Sequence, residues 1–250
     1  MPAGVSNSAL LVTLGVAFVA ALARGFSGFG AALIFVPIGS AVLGPHVAVP
    51  FLLVVDSLMT LPLLPRATRH CRWRDVLLMA LGGVVGVPIG TAILTHADQV
   101  AMRWAISLLI LVLLLVVSRG WRFRAQPAAP LTTAVGLSSG ILSGAAQVGG
   151  PPIVVYWLGG GTSRITVRAN LIVYFVLSSV LSSVTYVVGG LLSRDVLTYA
   201  LVAAPLYGTG LWLGARMFGL ASEKVFRRAC YGLIALSALI SLPALDVLWR

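Results

Sequence analysis

Between Trp104 and Val117 the chain reads WAISLLILVLLLVV, with Ser107 its one hydroxyl and no charge. A transmembrane β-strand would alternate apolar and polar positions, and an amphipathic helix would show polar residues on one face. A run that is apolar on every side suits a helix surrounded by lipid or buried in a helical bundle. The pattern recurs at Val47–Leu64, Val76–Leu94, Leu171–Val188, Val196–Ala215 and Tyr231–Leu248. Each stretch is close to the roughly 20 residues that cross a bilayer core.

Composition agrees. Of 250 residues 59% are hydrophobic and 9% are charged, against about 25% charged in an ordinary soluble domain. This excludes a soluble enzyme, a disordered chain and a coiled coil. The expected fold class is an all-α polytopic membrane protein. The formal charge of +11 would suggest nucleic acid in a soluble chain. Here the arginines cluster between apolar runs, the arrangement of cytoplasmic loops in membrane proteins, so no nucleic acid is expected. Cys71 and Cys230 both lie beside arginines, hence on the side where thiols stay reduced, and no disulfide or metal spacing is present. The N-terminal segment lacks a basic leader region and is read as the first membrane segment, not a cleaved signal.

Two regions are irregular. Ser8–Leu43 is too long for one span and is interrupted by RGFSGFG (Arg24–Gly30) and by Pro37; Leu131–Leu158 is interrupted by SGAAQVGGPP (Ser143–Pro152). Glycine and proline weaken helix interiors, so each region should split into half-helices meeting inside the membrane. The chain also resembles itself. RDV at Arg74–Val76 recurs at Arg194–Val196, GVPIG at Gly86–Gly90 lies over GLWLG at Gly210–Gly214, and GFGAA at Gly28–Ala32 lies over QVGGP at Gln147–Pro151, all at offsets near 120. This predicts a duplication into membrane repeats 1–125 and 126–250, each a broken-helix hairpin plus three transmembrane helices.

Charge counting tests the topology. If each broken region returns to its own side, the loops after Leu64, Val117, Leu158 and Ala215 share one face. They hold thirteen basic residues against three opposite, with Arg24 inside the first break. If the second broken region crosses once instead, the split becomes nine to seven. The first arrangement obeys the positive-inside rule and gives equivalent loops opposite orientations, an inverted-topology repeat of the kind found in secondary transporters.

Unpaired backbone groups are tolerated inside a bilayer only where protein or a water-filled cavity surrounds them. Half-helix N-termini offer free N–H groups and partial positive charge, and glycine lets an anion approach them. Gly25, Ser27, Gly28 and Gly30 form one candidate cradle for a small anionic substrate. Gln147, Gly149, Gly150 and Pro151 form the other. Arg24, directly before the first break, is the candidate charged ligand, because a guanidinium matches an oxyanion. Asp56, inside the run LLVVDSLM, is a candidate partner of Arg24 or a coupling residue. Asn170 is read as a helix cap. Ser178, Ser179, Ser182, Ser183 and Thr185 are read as packing hydroxyls, and Tyr156, Trp157, Tyr207 and Trp212 as packing or interfacial aromatics. His46, His70 and His96 fall in loops, far apart, so neither metal nor cofactor is expected, and no catalytic set suggests an enzyme.

With these features and the ending RRACYGLIALSALISL (Arg227–Leu242), the chain resembles the sulfite exporter TauE/SafE family. The most specific pieces are RGFSGFGAALIFVP (Arg24–Pro37) and SGAAQVGGPPIVVY (Ser143–Tyr156). The resemblance implies a bacterial inner-membrane permease for small sulfur-containing anions such as sulfite or organosulfonates. A negative cytoplasm favours exit of an unaccompanied anion by about 2.3 kcal/mol per charge per 100 mV, which leans toward export. The alternative is a permease for another oxyanion or small solute, with or without a coupled proton. Small-residue faces serve self-association as well as internal packing, so a homo-oligomer is compatible.

Overall fold

The computed structural model describes residues 7–28, 30–119, 128–159, 163–217 and 223–244. Among them are eleven α-helices, one 3-10 turn and no strand. The order is α1 (Asn7–Ser27), α2 (Ala31–Leu43), α3 (Pro45–Thr60), the 3-10 turn (Leu61–Leu63), α4 (Leu64–Ala67), α5 (Trp73–His96), α6 (Gln99–Ser118), α7 (Ala129–Ala146), α8 (Gly150–Gly159), α9 (Arg164–Val188), α10 (Arg194–Met217) and α11 (Glu223–Ile240). Among the described residues, six segments are long and apolar enough to cross a membrane: Ala9–Phe26, Pro45–Ala67, Trp73–His96, Gln99–Val116, Ile165–Val188 and Arg194–Met217. The chain is an all-helical, multi-pass membrane protein. Its outward faces carry Leu77, Leu81, Val84, Leu108, Val112 and Leu115, all exposed, as lipid contact requires.

Both broken regions are broken, each between a long and a short arm. α1 has 21 residues and α2 has 13, about 31 Å and 20 Å at 1.5 Å per residue. α7 has 18 and α8 has 10, about 27 Å and 15 Å. The first interruption is shorter than the sequence suggested. Arg24, Gly25 and Ser27 lie within α1, and the chain turns only where Gly28 and Gly30 take positive φ of 80° and 106°. Pro37 does not interrupt α2. A proline leaves the carbonyl four residues back without its N–H partner. Here that carbonyl belongs to Leu33, and the buried Ser237 hydroxyl of α11 reaches it at 3.2 Å. Pro50, Pro88 and Pro205 likewise sit inside α3, α5 and α10.

Two further expectations change. The last apolar run, expected over Tyr231–Leu248, is helical over Glu223–Ile240; Pro243, three residues on, disfavours continuation, and residues 245–250 lie outside the described set. Asn170 is not a cap. It lies seven residues inside α9, whose N-cap is Ser163, accepting from the Thr166 N–H. The Asn170 Oδ1 instead accepts the backbone N–H of Arg72 at 2.8 Å, holding the loop that starts α5.

The long arms pack against distant parts of the chain. α7 lies along α5 and α1 lies along α10. Glycines make both seams. A Cβ on Gly82, Gly86 or Gly90 of α5 would fall on the backbone of α7, and one on Gly136, Gly140 or Gly144 would fall on the backbone of α5. Across the other seam, Gly25 faces the backbone of Leu211 and Ala215, while Gly214 faces that of Leu22. Small residues four apart let helix backbones touch, and dispersion then has its full set of close atoms. The small-residue faces noted in the sequence are therefore used within the chain. The breaks are also in register: the long arms end at Ser27 and Ala146, and the short arms begin at Ala31 and Gly150, each pair 119 residues apart.

Candidate functional site

The two interruptions meet. One cavity of about 30 Å³ is lined by Arg24, by Gly30, Ala31, Ala32 and Leu33 from the start of α2, by Gln147, Val148, Gly150 and Pro151 from the second break, and by Asp56, Ser143, Phe175, Ser178 and Ser179, with Leu52. Asp56 sits eleven residues into α3, and Ser178 lies fourteen residues into α9. At 1.5 Å per residue these are depths of about 16 Å and 21 Å, near mid-height of the bundle.

Each break holds its shape for a local reason. Positive φ at Gly28 and Gly30 costs glycine little, and the Gly28 N–H still donates to the Arg24 carbonyl at 2.7 Å. α2 then begins with Ala31, Ala32 and Leu33, whose N–H groups have no partner within the helix. In the second break the left-handed residue is Gln147, φ 57°, the one non-glycine with positive φ among the described residues. Its side-chain Nε2 donates to the Ser143 carbonyl at 3.0 Å and to the Tyr186 hydroxyl at 3.2 Å. Tyr186 in turn donates to the Gly144 carbonyl at 2.7 Å. These bonds offset the strain of about 1–3 kcal/mol that a side chain meets there. Gly149 must lack a side chain, because a Cβ would run into Ser143 and the Ser139 carbonyl. The short arms differ as donors. Pro151 and Pro152 open α8 without N–H groups, so the cluster of free amides belongs to α2.

Arg24 and Asp56 form an ion pair, Nε to Oδ1, at 2.5 Å, with side chains 10% and 18% exposed. Removed from most solvent, such a pair is screened little. The Tyr207 hydroxyl of α10 donates to the same Oδ1 at 2.7 Å. Arg24 also reaches the Thr60 hydroxyl at 3.5 Å, and its guanidinium lies 5.3 Å from the centre of the Phe175 ring. The cavity is thus lined by one positive and one negative side chain, by the amides that start α2 and by three serine hydroxyls.

Of the residues singled out in the sequence, Arg24, Gly30, Asp56, Gln147, Gly150 and Pro151 come together around this space. Gly25 faces α10 instead, Gly28 lies nearest the Arg168 side chain, and Gly149 packs on α7. Ser27 ends α1; its side chain lies outside the described residues. The sequence reading did not place Ser178 and Ser179, taken for packing groups, at the site, nor Tyr207, taken for a packing or interfacial aromatic, beside Asp56. The signal for Tyr207 was indirect: a carboxylate in an apolar helix requires a donor, but nothing in the sequence names one 151 positions away. Trp157 and Tyr156 are buried packing residues, whereas Trp212 is exposed with Arg216 stacked 3.8 Å from its ring centre. His46 and His96 prove to lie at helix ends, not in loops. Among the described residues no group of three His, Cys, Asp or Glu is close enough to hold a metal.

A sequence profile of the family described as sulfite exporter TauE/SafE matches residues 13–240. A curated relative from Cupriavidus necator, described as a probable sulfite/organosulfonate exporter TauE, is 29% identical over 234 residues, covering 88% of this chain and 89% of its own. No solved structure matches.

Proposed function

The chain belongs to the sulfite exporter TauE/SafE family of membrane transporters, and from that premise we propose that it exports a small sulfur-containing anion, sulfite or an organosulfonate, from the bacterial cytoplasm across the inner membrane. The observation carrying this reading is the convergence of both broken regions on one mid-height cavity that contains Arg24 and the free amides of α2. Backbone N–H groups at a helix start and a guanidinium replace the hydration shell of an oxyanion at little reorganisation cost. Ser143, Ser178 and Ser179 add hydroxyl groups to the lining of the cavity.

The cavity is small. A water needs at least about 10–15 Å³ of such space, so about 30 Å³ takes two or three waters and not a solvated anion. The arrangement fits a contracted state of an alternating-access cycle, with entry by separation of the elements around the breaks. The reading of the chain as two inverted repeats, 1–125 and 126–250, supports such a cycle. Its own support is the common 119-residue offset of the two breaks and the reciprocal packing of α1 on α10 and of α7 on α5. The protein acts on its substrate by moving it, with membrane lipid around it and without chemical conversion.

The test is efflux of labelled sulfite, sulfate, phosphate and methanesulfonate from liposomes that contain the purified chain. Selective movement of the sulfur oxyanions is expected, with loss in Arg24→Ala. Equal movement of all four, or of uncharged solutes, would favour a broader permease, and no movement would end the transport reading.

A further inference from the structure

Resting on that reading, we propose that Asp56 is the proton carrier of the site, so that anion and proton cross together and Arg24 exchanges its carboxylate partner for the anion. The argument begins with charge. Arg24 and Asp56 both line the cavity and cancel each other. An anion entering beside an ionised Asp56 would leave a net negative charge in a space removed from water. Like charges about 5 Å apart in an effective dielectric of about 20 weaken binding by two to three orders of magnitude. A proton on Asp56 removes that repulsion and frees the guanidinium, and the loaded site is then neutral, as the empty one is.

The contacts suit the exchange. Arg24 Nε and the Tyr207 hydroxyl both approach Oδ1. The carboxylate takes its proton from water on the entry side and returns it to water on the exit side. Arg24 keeps its place during the change of partner because the Phe175 ring and the Thr60 hydroxyl hold it without using the Asp56 carboxylate. Tyr207 is a positioning residue, since it fixes the carboxylate without lining the cavity.

The other elements packed against α3 do not offer a competing charge. α2 (AALIFVPIGSAVL) and α7 (APLTTAVGLSSGILSGAA) contain no titratable group. The charged residues of α5, Arg74, Asp75 and His96, sit in its first and last turns. Arg103 of α6 donates to the Ser241 carbonyl of the segment after α11. On α9, Arg168 lies against Gly28 and Tyr174 bonds the Gly136 carbonyl. On α10, Tyr207 bonds Asp56, while Arg194 and Asp195 lie in the first turn, Tyr199 one turn further on and Arg216 in the last turn. One proton per anion makes the movement electroneutral, so export follows the anion's own gradient and the pH difference and not the membrane potential.

The experiment uses the full chain in liposomes loaded with labelled methanesulfonate, whose charge does not change near neutral pH, with a pH dye inside and the potential clamped. Expected is one proton leaving per anion and a flux unchanged when the potential is reversed. In Asp56→Asn any remaining flux should carry no proton and should respond to potential. In Tyr207→Phe the carboxylate loses a donor that positions it, so the number of protons carried per anion should fall below one. A purely structural role for Tyr207 would lower flux without changing that ratio. Wild-type efflux without luminal alkalinisation, and steered by potential, overturns the proton carrier while leaving the transporter intact. Absence of wild-type efflux for methanesulfonate and sulfite alike overturns the transport reading and this inference with it.

Discussion

Replacing Gly86 by alanine adds one methyl group to the α5–α7 seam, where its neighbours would be the Leu137 carbonyl oxygen, the Ile141 nitrogen at 2.9 Å and the Gly140 Cα at 3.0 Å. All are backbone, so no side chain can swing aside. The helices must separate by about 1 Å to restore ordinary contact, and a gap of 0.5–1 Å forfeits a quarter to a half of each dispersion well of about 0.1–0.2 kcal/mol. Over a few tens of atom pairs the loss is about 2 kcal/mol, within the range of about 1–3 for overpacked cores. For a chain of this size that corresponds to a fall in Tm of about 4–8 °C. Thermal unfolding in detergent, followed by tryptophan fluorescence, measures it. Gly15→Ala is the internal control: nothing lies within 4 Å of its Cβ position in α1, so the usual helix preference for alanine should leave Tm equal or slightly raised. If Gly86→Ala and Gly15→Ala gave the same Tm, the close-contact account of this seam would be wrong.

Arg24→Ala should unfold more readily than wild type by about 3 kcal/mol, because Asp56 loses its ionic partner in a space that is mostly dry. The double variant Arg24→Ala/Asp56→Asn should regain much of that stability yet remain inactive, and recovery of transport in it would remove Arg24 from the anion site. Asn170→Ala leaves the Arg72 N–H without its acceptor and should cost about 1–3 kcal/mol, read as a lower Tm with anion selectivity unchanged. Burial pushes the Cys71 thiol above its ordinary value. At neutral pH it should therefore react with maleimides more slowly than a free thiol, and faster as pH rises and thiolate forms. An impermeant maleimide should reach Cys71 only from the cytoplasmic face, and labelling from outside would reverse the orientation.

The helices were legible because lipid demands continuous apolar runs, and glycine with proline marks where such runs stop. The limits of those runs were less so. Pro37 looks like an interruption until Ser237, two hundred residues away, is seen reaching the carbonyl that the proline strands. Gly25 looks like part of a cradle, but its missing side chain serves α10. Arg24 and Asp56 could be paired from the sequence because few other charges lie inside the apolar runs. Ser178, Ser179 and Tyr207 could not be assigned, since a hydroxyl in a membrane helix has the same local signature whether it faces a neighbour or a cavity. Side-chain direction around the helix axis decides between those roles, and that direction is set by tertiary packing.

The pairing of α1 with α10 also bears on how the chain is made. The backbone that Gly25 rests on, at Leu211 and Ala215, is translated about 190 residues after it, some 10–40 s later at ordinary synthesis rates. During that interval α1 sits in the bilayer with its glycine groove facing lipid or an insertion chaperone. Ribosome stalling before α10 therefore strands an incomplete molecule, a natural target for membrane proteases. Fragments cut between the two long arms should accumulate only when both are produced in the same cell.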